Sequence, residues 1–166
     1  LINYTILRNK YILFFFYFSC YTYFVVIGMI FTKEDFSMNK VDLALDLHQK
    51  GYNCCQAVVC AFCEDLGLDM ETMFKATEGF GLGMGCMNGT CGALSGAIML
   101  CGLQNSDGCL DAPKSKKDSY KISKELFNRF NEMSGSTVCS ELKGSKTGKM
   151  LCTCSECIAN ATKCVT

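Results

Sequence analysis

The sequence predicts an all-α fold, a compact multi-helix bundle in which a glycine-rich loop leads into a buried central helix. Three observations carry this. Apolar residues recur at three- and four-residue spacing from Val41 onward. Residues that cap helix N-termini stand just before several of these stripes. No period-two alternation of useful strand length occurs.

Ser37 is placed to cap a first helix on which Val41, Ala44, Leu45 and His48 share a face, with Gly51 ending it. Asn53 caps the next, and Gln56 three residues on completes a capping box. Cys55, Val58, Val59, Phe62 and Leu66 form its buried stripe, and Gly67 stops it. Asp69 opens a short helix that ends near Thr77.

Glycine then occupies every second position from Gly79 to Gly85, which no helix tolerates and which lets backbone approach a neighbour closely. Thr90 is placed to cap a very apolar helix, Cys91 to Leu103. On it Gly92/Gly96 and Ala93/Ala97 leave a bare face for tight packing. Asn105 to Lys117, with the only proline (Pro113), reads as a surface loop. Ile122, Leu126, Phe130 and Met133 mark an amphipathic helix ended by Gly135. Two short segments, beginning at Thr137 and Thr153, close the chain.

With 166 residues the chain suits one domain with a real core. Its 16 basic and 16 acidic residues cancel, so the basic field of a nucleic-acid partner is absent. Cysteine is the outlier, at 14 residues. Such density in a small secreted chain would mean a disulfide scaffold. Here, however, many cysteines sit in apolar helical runs such as 54–63, where a thiol packs as a small hydrophobe. A reducing, cytoplasmic setting is therefore expected.

Residues 1–37 stand apart from the domain expected over 38–166. Tyr11 to Phe31 is uncharged and flanked by Arg8, Lys10 and Lys33, long enough for a membrane-anchoring helix. The segment lacks the small-x-small pattern of a cleaved signal peptide. Its Phe, Tyr, Ile, Asn and Lys bias also fits translated upstream DNA of an AT-rich genome, with Met38 as the start. Membrane association depends on whether residues 11–31 are truly translated.

Four cysteines share one position. Cys54, Cys91, Cys139 and Cys154 follow Asn53, Thr90, Thr137 and Thr153, in the first turn of expected helices. First-turn amides and the helix dipole favour an anion, so these thiols should ionise more readily than usual. Cys54 and Cys91 are expected to alkylate before Cys60 and Cys63, with Cys91 the faster. Cys154-x-x-Cys157 at a helix start suits an attacking and a resolving thiol, whereas Cys60-x-x-Cys63 lies mid-helix and reads as core. His48, the only histidine, reads as a core residue on an apolar face. Gly81-x-Gly83-x-Gly85 and Gly144–Met150 both miss nucleotide-loop spacing.

Asn53–Val58, the glycine run into Thr90-Cys91-Gly92-Ala93-Leu94-Ser95-Gly96-Ala97, Cys139–Gly144 and Cys154–Ile158 together resemble the redox-active C-GCAxxG-C-C family. The resemblance spans about Lys40 to Lys163. It implies that the family's four signature cysteines fall on Cys54, Cys91, Cys139 and Cys154, in a family known chiefly from bacteria and archaea, many of them anaerobic. Thiol–disulfide exchange is the expected chemistry, requiring no cofactor, with a redox protein or a small-molecule electron donor as partner. Cys91 is expected to face Cys54, with Cys139 and Cys154 completing a relay. The alternative is an iron–sulfur cluster or zinc held by the same four, with Cys86 or Cys157 added.

Overall fold

The structure is a computed structural model, and it describes residues 38–166. Both Ser37 and the apolar stretch 11–31 lie outside the described residues. Among the described residues no helix is long and apolar enough to cross a membrane.

The fold is all-α, as expected. Helix α1 (Lys40–Gln49) is capped by Asn39, whose side chain accepts from the Asp42 amide. This corrects the cap two residues along from Ser37. Ala44 and Leu47 are its buried residues. Helix α2 (Cys54–Cys60) carries the expected capping box: Asn53 accepts from the amides of Cys55 and Gln56, and Gln56 Oε1 accepts from the Asn53 amide. The α-helix ends earlier than Gly67. From Ala61 the chain tightens into successive turns, with Phe62 N–H on Val59 O and Cys63 N–H on Cys60 O. Gly67, at φ +61°, closes them.

Helix α3 (Met70–Thr77) has Asp69 as its cap, and a 3-10 turn (Glu78–Phe80) follows. Gly81–Met84 is a kinked single turn in which Leu82, Gly83 and Met84 all lie in the left-handed region. Helix α4 (Gly92–Asn105) is central, with Gly92, Ala93, Leu94, Gly96, Ala97, Leu100 and Cys101 buried. Its glycines permit the approach of α2: a Cβ on Gly96 would lie 3.0 Å from Cys55 O and 3.3 Å from Val58 Cβ.

Helix α5 (Lys116–Ser134) begins before the end expected for the surface loop and stops at Gly135, φ +85°. Leu126 and Phe130 are buried, whereas Ile122 and Met133 stay largely exposed. Helices α6 (Cys139–Leu142) and α7 (Cys154–Val165) close the chain. Helix α4 packs against α2, α5 and α7, and α7 also packs against α1. The starts of α2, α4, α6 and α7 are thereby gathered at one place.

Candidate functional site

Each of the four helix-start cysteines is held by a different local device. Cys54 is the first residue of α2 behind the Asn53 box, and the Asn53 side chain also donates to Glu78 O at 2.9 Å, tying that cap to the glycine-rich segment. Cys91 is itself the cap of α4, one position later than the cap expected at Thr90. Its amide donates to Thr137 O at 2.8 Å, and Thr90 pairs antiparallel with Val138. That short bridge brings Cys139, first residue of α6, beside the glycine loop; its cap is Val138, not Thr137. Gly83 is required there, because a Cβ would stand 2.5 Å from Cys139 Cβ. Cys154 opens α7 behind Thr153, which forms a second capping box with Glu156.

The thirteen cysteines of the described residues are free thiols. Around the four helix starts they meet in two pairs. Cys54 acts on Cys154 and Cys157 on Cys91, each shifting the ionisation of the other, and the Cys157 thiol also points to Cys152 O at 4.0 Å. Cys54 and Cys154 are half-buried, whereas Cys91 and Cys157 are 2% and 0% exposed. Cys157 was expected to resolve Cys154. It acts on Cys91 instead, because α7 packs against both α1 and α4 and so presents its first-turn cysteines to different neighbours.

Lys143, just after α6, is the cation of the cluster. Its Nζ donates to Cys152 O at 2.9 Å and to Cys157 Sγ at 3.8 Å, and it also hydrogen-bonds Cys154. Burial opposes its charge, but the Cys157, Cys154 and Cys91 sulfurs more than offset this and hold its pKa up. His48 lies near enough for its cationic form to favour a Cys154 thiolate. Its Nδ1 is 2.8 Å from Tyr52 O, an arrangement that orients the ring. Neither residue was singled out for this role by sequence; the only signal was that Lys143 lies within the Cys139–Gly144 motif.

The two pairs are polarised. The Cys54 hydrogen bond, opposed by burial and assisted by Lys143, brings the Cys154 thiol down to about 5. The Cys157 hydrogen bond, opposed by burial and assisted by the Leu94 and Ala93 amides, brings Cys91 down to about 7. Their donors move the other way: Cys54 and Cys157 are pushed up by donating to a thiolate and by burial. The expectation of an easily ionised Cys54 is therefore corrected, since the helix-start contribution is outweighed by its partner and by burial. Cys139 is also pushed up, by burial and by the charges of Cys91 and Cys154. Cys60 rises to about 12, chiefly through burial.

As chemistry, this is two thiol–thiolate pairs beside one ammonium group, a form suited to disulfide exchange. Cys86 lies apart from the pairs, exposed, with its thiol toward Gly83 O at 3.6 Å. Among the described residues no group of three or more His, Cys, Asp or Glu side chains is arranged to hold a metal ion.

One family model, described as "Putative redox-active protein (C_GCAxxG_C_C)", matches residues 52–166. No curated protein and no solved structure matches the chain.

Proposed function

The chain belongs to the C_GCAxxG_C_C family, and on that premise we propose that it works by thiol–disulfide exchange with Cys54 and Cys154 as the exchanging pair. The observation that carries this reading is the Cys54 thiol held against Cys154, with Lys143 on the same sulfur. Cys154 is half-buried and so reachable, and Cys54 and Lys143 beside it hold its pKa below the usual thiol range.

The Cys154 thiolate attacks one sulfur of a partner disulfide. A Cys154–partner bond forms, the partner S–S bond breaks, and the second partner sulfur leaves as a thiolate. Cys54 then loses its proton to that thiolate and attacks Cys154 Sγ, closing a Cys54–Cys154 disulfide and releasing the partner's first sulfur. The partner gains two electrons and the protein loses two. The reverse sequence oxidises a partner dithiol. Cys91 and Cys139 stand behind the exchanging pair. The partner is a redox protein or a small-molecule thiol or disulfide, and a reducing, cytoplasmic compartment keeps the pair poised.

The test uses the full chain carrying Cys54→Ala, reduced and then mixed anaerobically with oxidised glutathione. Without its resolving thiol, Cys154 should accumulate as a glutathione mixed disulfide, read by peptide mass spectrometry. Glutathione on other cysteines with Cys154 unmodified would overturn the reading. So would stoichiometric iron or zinc in the anaerobically purified wild type that Cys54→Ala loses.

A further inference from the structure

Beside the exchanging pair lies a second pair of interacting thiols, Cys91 and Cys157, which the signature cysteines alone do not provide. Cys157 is fully buried, yet it is not packed as a simple hydrophobe. It acts on Cys91 across the packed face of α4 and α7, its sulfur lies 4.0 Å from Cys152 O, and Lys143 Nζ approaches that sulfur to 3.8 Å. Cys91 in turn is close to Cys54. A Cβ on the neighbouring Gly92 would lie 3.5 Å from Cys54 Cβ, and the Cys91 charge acts directly on Cys54. The outer and inner pairs are thus adjacent, with Lys143 touching members of both.

We infer that Cys91 and Cys157 form a second, interior dithiol–disulfide couple that exchanges electrons with Cys54–Cys154, so that the protein stores four electrons rather than two. This rests on the proposed exchange at Cys54 and Cys154. The transfer balances as an internal exchange. The Cys91 thiolate attacks Cys54 Sγ of the outer disulfide, forming a Cys91–Cys54 bond and expelling Cys154 as a thiolate. Cys154 is the better leaving group, because its thiolate is stabilised by Lys143. Cys157 then attacks Cys91 Sγ, expelling Cys54, which takes up the proton that Cys157 loses. Two electrons have moved outward, the outer pair is again thiol and thiolate, and the inner pair is a disulfide. A second partner disulfide can then be reduced.

The test is disulfide mapping on the reduced full-length protein, treated anaerobically with excess diamide. Acid quenching, alkylation in denaturant and digestion with trypsin plus a glutamate-specific protease follow. Cleavage after Glu156 separates Cys154 from Cys157. Two linkages are expected, Cys54–Cys154 and Cys91–Cys157. A Cys54–Cys154 bond with Cys91 and Cys157 still alkylated overturns this inference and leaves the proposed function standing. Cys157 linked to Cys154 or Cys152 overturns it equally, and absence of both expected bonds removes the proposed function as well. In Cys157→Ala, the oxidant consumed by these four positions should fall by half while Cys54–Cys154 still forms. The wild-type map decides the matter if that variant does not fold.

Discussion

Cys54 and Cys154 set each other's ionisation in opposite directions, joining the first residue of α2 to the first residue of α7. One sulfur serves as acid and the other as anion, so the pair is asymmetric before any partner arrives. The asymmetry fixes an order of reactivity. Near neutral pH, iodoacetamide should modify Cys154 first in the reduced protein, Cys91 more slowly because it is buried, and Cys54 and Cys157 last. Time-resolved labelling read by peptide mass spectrometry checks this, and a Cys54 faster than Cys154 would reverse the assignment of nucleophile and resolving thiol.

Removing the donor should weaken the acceptor. A hydrogen bond to a charged group contributes about 1.5–3 kcal/mol, and about 1.4 kcal/mol corresponds to one pKa unit. In Cys54→Ala the pH midpoint of Cys154 alkylation should therefore rise by about one to two units. An unchanged midpoint would mean that Lys143 and the helix start suffice without Cys54.

Lys143→Met removes the ammonium group but keeps most of the side-chain stem. Both Cys154 and Cys91 lose a favourable charge, so both midpoints should move up, by about one unit for a nearby, partly solvated cation. Lys143→Arg should recover part of the shift. A merely structural role for Lys143, through its bond to Cys152 O, would leave the midpoints in place.

Stability should follow pH with a definite sign. A thiol whose folded pKa is depressed contributes stability above its unfolded pKa, near about 8.5, and loses it as pH falls through the folded value. For Cys154 that loss runs down to about 5, and for Cys91 to about 7. Cys54, Cys55, Cys60 and Cys157 are raised and work oppositely, holding stability below the unfolded pKa and losing it as pH rises further. Urea unfolding of the reduced protein should accordingly show a lower midpoint at about pH 5.5 than at about pH 8. Cys154→Ser should narrow that difference, and an equal difference in both proteins would assign the slope to other groups.

Two glycines of α4 should respond to alanine with opposite signs. At Gly96 the new methyl would press on Cys55 O at 3.0 Å, with Val58 Cβ and Val59 Cγ2 at 3.3 Å, a backbone-limited contact costing about 1–3 kcal/mol. At Gly102 nothing stands within 4 Å, so the substitution should stabilise by up to about 1 kcal/mol through helix propensity. Denaturant midpoints compare the two, and a neutral Gly96→Ala would contradict the close packing of α2 on α4.

Local chemistry was the legible part of this chain. Asn53 with Gln56, Asp69, Thr153 and the terminating Gly135 each act within a few residues of their own position, and each stands where the sequence placed it. The bare face of Gly92 and Gly96 likewise predicted a central helix. What local pattern could not convey is which cysteine meets which. The Cys154-x-x-Cys157 spacing suggested a pair, but the packing of α7 against both α1 and α4 turns one sulfur to Cys54 and the other to Cys91. The same holds for ionisation. Position at a helix start is shared by Cys54 and Cys154, yet their pKa shifts have opposite directions because each is set mainly by the other. Lys143 escaped notice because its role depends on sulfurs supplied by distant elements.

The most direct measurement of the central claim is the first disulfide formed by the reduced full-length protein when one two-electron equivalent of a disulfide oxidant is added anaerobically. Peptides quenched in acid and separated between Cys154 and Cys157 should carry the linkage within the cluster, as Cys54–Cys154 at the earliest times. A first linkage at Cys154–Cys157, or at Cys60–Cys63 with the cluster still reduced, would contradict it.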